Sequence, residues 1–166
     1  LETAEHGTHL CTGHRRLDAM LAVSAIGESA RIGDPSAAQI YFTILNAGTG
    51  PAVIHRFEFQ YESRIIPADG GTIARFLTAC CAGGNPSATS IGSTASTPAS
   101  QTLLAPNAEL TVLRWPLTPE NRGLWTALDR ARLEGKIGMT ACYCSVFDDC
   151  WIADTALFPP REVESC

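Results

Sequence analysis

Seven cysteines are the residues of this chain best suited to chemistry: Cys11, Cys80, Cys81, Cys142, Cys144, Cys150 and Cys166. A thiolate is a nucleophile, a soft metal ligand or one half of a disulfide. Three of them fall in the run Cys142-Tyr-Cys144-Ser-Val-Phe-Asp-Asp-Cys150. Side chains alternate along a strand, so Cys142 and Cys144 share a face. A turn centred near Phe147 sets Cys144 opposite Cys150, at the cross-strand separation a disulfide needs. That bridge leaves Cys142 to meet Cys80 or Cys81 across the core. Two other readings stand beside it. The cysteines are reduced core residues, or Cys142, Cys144, Cys150 and one of Cys80 and Cys81 form a zinc site. The C-x-C spacing lacks the C-x₂-C geometry of a zinc knuckle, and redox catalysis lacks a C-x-x-C at a helix start. Adjacent Cys80 and Cys81 bond to each other only through a strained ring, so separate partners, or burial of one, are expected. Cys166 is the natural odd one out.

Other constellations are thinner. His6, His9, Cys11 and His14 lie close together on a polar arm and are transition-metal ligand types, so the arm is a physiological metal site, an adventitious one or a plain polar arm. His55 falls mid-strand on an apolar face, where a core or edge histidine is expected rather than a base. No G-x-S-x-G occurs. Gly48-Thr-Gly-Pro-Ala52 lacks the Lys-Ser/Thr of a phosphate loop. Asp148-Asp149 reads as a turn. No catalytic set and no cofactor is expected.

The elements that must position these residues read mainly as strands. Leu17 to Ile26 carries Leu17, Ala19, Leu21, Val23 and Ala25 at period two, which suits a strand, although its composition also fits a short helix. Ala38 to Asn46 is rich in β-branched and aromatic residues. Ala47-Gly-Thr-Gly-Pro-Ala52 is a turn, and Val53 to Tyr61 alternates with Phe57, Phe59 and Tyr61 on one face, so the two strands read as a hairpin. A short helix is expected over residues 72–82. Glu109 to Trp115 is a strand ended by Pro116. A helix is expected over 118–134, with Thr118 as N-cap, Pro119 at the first helical position and Gly135 just past the end. Lys136 to Phe147 and Cys150 to Leu157 form a C-terminal hairpin. These elements predict an antiparallel Ig-like β-sandwich over 17–158, with a polar arm at 1–16 and a loose tail at 159–166.

Composition narrows the function classes. The 166 residues suit one domain. Charged residues are 17% of the chain, below the usual quarter, and acids outnumber bases 17 to 12. That balance argues against a nucleic-acid partner, and the apolar runs are too short to span a bilayer. Eleven of the twelve bases are Arg, a bias that carries no function. A core of this size folds without disulfides, so the cysteines indicate an oxidising compartment or a chemistry. No charged residue or histidine occurs between Arg75 and Glu109. Within that span, 83–107 is a long uncharged loop, mobile or functional. It is the expected protein-contact surface, and removal of 84–100 is expected to abolish partner binding while leaving the fold intact.

Several segments together resemble a family of small bacterial single-pass membrane proteins of unknown function. They are Glu5-His6 with Arg16-Leu17-Asp18, the N-x-G-x-G-P-A turn of Asn46 to Ala52 preceded by Leu45, Phe57-Glu-Phe-Gln-Tyr61, and Cys142 followed by the Y-C-S-x-[FY]-x-x-C-W piece of Tyr143 to Trp151. The resemblance implies an anchor helix before Leu1, a polar juxtamembrane arm and a β-rich domain. It implies no reaction. The expected function is therefore a non-enzymatic interaction or sensing domain, anchored at a bacterial membrane and facing the extracytoplasmic side. The alternatives are a cysteine-based metal or thiol-redox protein and a structural subunit of an envelope assembly.

Overall fold

A computed structural model describes residues 19–28, 38–68, 71–81 and 86–166, with side chains undescribed at 24–28 and 157. The arm at 1–16, with His6, His9, Cys11 and His14, lies outside the described residues. The described chain folds into two antiparallel sheets. One has the order β1 (Leu21–Glu28), β2 (Gln39–Asn46), β7 (Glu109–Pro116), β5 (Ala95–Ser96). The other runs β10 (Leu157–Val163), β9 (Cys150–Asp154), β8 (Ile137–Ser145), β3 (Ala52–Tyr61), β4 (Arg64–Pro67). The short β6 (Thr102–Leu104) shares an edge of β3 with β4, pairing with Ala52–Ile54 while β4 pairs with Glu58–Tyr61. Three helices complete it: α1 (Thr72–Cys80), α2 (Ala88–Ile91) and α3 (Arg122–Leu133).

The core lies between the sheets. Ile40, Phe42 and Ile44 alternate inward along β2 and are fully buried. Phe42 meets Phe59 of β3 edge-on at 5.2 Å, and Phe76 of α1 closes the cluster at 4.7 Å from Phe59. At the other end Tyr143 stacks on Trp151 at 5.7 Å. The Tyr143 hydroxyl accepts a hydrogen bond from the Leu21 N–H at 3.2 Å, tying β8 to β1 in the opposite sheet. The described part of the first apolar stretch enters a strand at Leu21, not a helix, with Leu21 and the preceding Ala19 buried.

The predicted hairpin of 38–61 is not one. β2 and β3 lie in different sheets, and the Ala47–Pro51 turn carries the chain between them. Alternation specifies which face a strand buries; it does not specify the strand's neighbour. His55 is also not on the apolar face. β3 shifts register between Ile54 and Arg56, and a bulge of this kind moves the following side chains to the other face. Ala52 and Ile54 point inward before it, Phe57, Phe59 and Tyr61 after it, and His55 is exposed.

α3 starts at Arg122, later than Thr118. The Asn121 amide oxygen accepts from the Thr118 N–H at 2.7 Å, so residues 118–121 make a closed turn before the helix. The predicted end is present. Gly135 has φ +69°, and Lys136 N–H donates to the Ala131 carbonyl at 2.9 Å. The tail expected to be loose contains β10, which pairs with β9.

Candidate functional site

The C-terminal hairpin places Cys144 and Cys150 as register partners, with Cα atoms 4.0 Å apart and sulfurs at disulfide distance. Its turn explains the register. Asp148 adopts φ +62°, a conformation Asp tolerates, and the Ser145 hydroxyl accepts from the Phe147 N–H at 3.1 Å. Cys142, two residues earlier on β8, has its sulfur at disulfide distance from Cys166, with Cα atoms 5.6 Å apart. Cys80 and Cys81 sit at the end of α1 with their sulfurs at disulfide distance from each other. Three expectations are thereby corrected. Cys166 is not the odd one out, Cys142 does not meet Cys80 or Cys81, and the vicinal pair does not serve two other partners. Cys166 reaches β8 because β10 runs back along β9 and delivers the C-terminus there.

The two C-terminal pairs form one cluster. The sulfurs of Cys144 and Cys166 approach to 3.8 Å. Those of Cys144, Cys150 and Cys166 all lie within 4.8 Å of one another, which is the only grouping of metal-ligand type found among the described residues. Cys142, Cys144 and Cys150 are buried, while Cys166 is exposed. A zinc set that includes Cys80 or Cys81 is not what the structure brings together. Nor does it bring His55 to the cysteines as a base: His55 is exposed at the bulge of β3.

The uncharged segment is the second candidate surface, and its described part, 86–107, is not a plain loop. α2 opens with the Ser87 hydroxyl accepting from the Ser90 N–H at 3.2 Å. The Ile91 carbonyl at its end accepts from the Trp115 indole at 2.8 Å and from the buried Asn121 amide at 3.2 Å. Farther on, the segment serves the β3 bulge. The Ser100 hydroxyl accepts from the Phe57 N–H at 3.1 Å, and Gln101 donates to the carbonyls of Ile54 and His55 at 2.7 and 3.0 Å. These are backbone groups a bulge takes out of the ladder. Between the two anchors, 92–98 is exposed throughout and includes β5, the edge strand of its sheet. Ser96 and Thr97 also line a cavity of about 250 Å³, together with Phe59, Thr72, Val112 and Leu113.

No family model, curated protein or solved structure shows a significant match to the chain.

Proposed function

We propose that this chain is a non-enzymatic interaction domain of an oxidising, extracytoplasmic space, held at a bacterial membrane by a segment outside it, as the family resemblance implies. The observation that carries the reading is the arrangement of six cysteines into three mutual pairs. Pairs of this kind persist where thiols are oxidised and are rare in reducing compartments. With those pairs closed, no described cysteine is left as a nucleophile or a thiolate ligand. The partner is a protein, and its contact surface is the uncharged edge at 92–98. Among the described residues this strand edge has no further neighbour, and an edge without charges or Lys gatekeepers offers backbone groups to another chain. A photo-crosslinking side chain at Thr94, in cells making the full-length protein, should yield one discrete adduct, with none from Glu164 beyond β10. Equal labelling from both positions, or none from Thr94, contradicts the assignment.

A further inference from the structure

We propose that Cys142–Cys166 and Cys144–Cys150 act as one exchange-coupled disulfide unit, in which two electrons taken up at the exposed Cys166 are passed to Cys144 and emerge at the buried Cys150. The inference rests on the oxidised reading above. Four observations carry it. Cys166 is exposed, whereas Cys142, Cys144 and Cys150 are only 2, 5 and 6% exposed, so an external thiol reaches the cluster through Cys166. The Cys166 sulfur stands 3.8 Å from that of Cys144, close to van der Waals contact between two different bridges. The Asp148 carbonyl oxygen lies 3.4 Å from the Cys150 sulfur, a ready acceptor for a thiol proton there. Cys150 closes a loop of five residues, 145–149, that two backbone bonds also span, Ser145 N–H to the Asp149 carbonyl at 2.8 Å and Asp148 N–H to the Ser145 carbonyl at 3.2 Å.

The co-reactant is a dithiol, of a small molecule or of a redox protein. One of its thiolates attacks the Cys166 sulfur, forming a mixed disulfide and releasing Cys142 as a thiolate. Its second thiolate resolves the mixed disulfide, leaves as the oxidised dithiol and frees Cys166. The Cys166 thiolate then attacks the Cys144 sulfur. The Cys144–Cys166 bond forms, the Cys144–Cys150 bond breaks, and Cys150 leaves as a thiolate that takes a proton. In total one dithiol is oxidised, one protein disulfide is lost, and Cys142 and Cys150 end as thiols. The tether of Cys166 is released and re-formed, moved from Cys142 to Cys144, while the staple of the 144–150 hairpin opens. The exchange is thus a way to loosen the hairpin turn, with its exposed Val146 and Phe147, on demand.

The test is disulfide mapping of the intact chain. Chymotryptic cleavage after Tyr143, Phe147 and Trp151 puts Cys142, Cys144 and Cys150 on separate fragments. Oxidised protein is treated with limiting dithiothreitol, acid-quenched and alkylated. Beyond Cys11, which is alkylated throughout, the expected species with two new thiols carries alkyl groups on Cys142 and Cys150 and a Cys144–Cys166 linkage. A second arm uses Cys142→Ser, oxidised without added reductant; it should also contain the Cys144–Cys166 linkage, with Cys150 alkylated. The proposal is overturned if the new thiols of the partly reduced wild type fall only on Cys142 with Cys166 or on Cys144 with Cys150. It is equally overturned if Cys142→Ser shows only Cys144–Cys150 with Cys166 alkylated. Seven alkylated thiols before any reductant is added would instead sink the oxidised reading, and the exchange with it.

Discussion

Asn46 is fully buried, and its side chain closes four hydrogen bonds at the crossing between the sheets. Its amide nitrogen donates to the carbonyls of Gly50 at 2.9 Å and Leu104 at 3.0 Å, and its oxygen accepts from the N–H groups of Gly48 at 3.0 Å and Met20 at 3.4 Å. One side chain thus joins the start of β1, the crossing turn and the end of β6. Each buried group left unpaired costs about 1–3 kcal/mol. Asn46→Ala should therefore lower unfolding stability by about 3 kcal/mol or more, read from a urea transition. Tyr143 works in the same way one residue farther along the chain, at Leu21, the register partner of Asn46. Burial pushes its hydroxyl up to about 12, and the Leu21 N–H opposes that in part. An unfolded tyrosine ionises near about 10. The folded state therefore holds the proton more tightly. The stability this contributes is complete below about pH 10 and is lost as pH rises toward about 12, a change of about 2–3 kcal/mol. Tyr143→Phe should be less stable than wild type by about 1 kcal/mol at neutral pH, and the gap should narrow between about pH 9 and pH 11. A gap that stays constant across that range contradicts the assignment.

At the scale of elements, the uncharged segment behaves unlike its composition. Gly, Ser, Thr and Ala without charge read as a removable loop, yet the segment supplies acceptors to Trp115, Asn121 and Phe57 and buries Ala99 and Leu104. Deleting 86–101 is accordingly expected to abolish cooperative unfolding, and Ser100→Ala to lower stability by about 1 kcal/mol by orphaning the Phe57 N–H. Thr94→Lys, on the exposed edge, should change stability by less than about 0.5 kcal/mol while abolishing the proposed partner adduct. The strands themselves were legible, because Ile40, Phe42 and Ile44 alternate and the turn residues mark the ends. The partners of β2 and β3 were not legible, since a turn such as Ala47–Pro51 fits a hairpin and a sheet crossing equally well. His55 was misplaced for a related reason. A single bulge shifts the period by one residue, and nothing in the residue types around it announces that shift.

At the scale of the molecule, the same division between local and distant runs through the cysteines. Cys144 and Cys150 are six residues apart across a turn, so strand geometry alone predicts their meeting. Cys142 and Cys166 meet only because β10 returns along β9, a long-range pairing that spacing does not encode. Ring strain in an adjacent pair says nothing of where the pair sits in the fold; at the end of α1 the Cys80 and Cys81 sulfurs lie at disulfide distance from each other. The resulting molecule is a two-sheet domain with cysteine pairs on the helix end and the C-terminal hairpin, and an uncharged edge between them in sequence. Its proposed place in an oxidising space is tested most directly by alkylating the denatured chain without reductant and mapping the linked fragments. The account predicts three linkages, Cys80–Cys81, Cys142–Cys166 and Cys144–Cys150, with six of the seven thiols blocked. Seven alkylated cysteines in protein taken from its native compartment would contradict it.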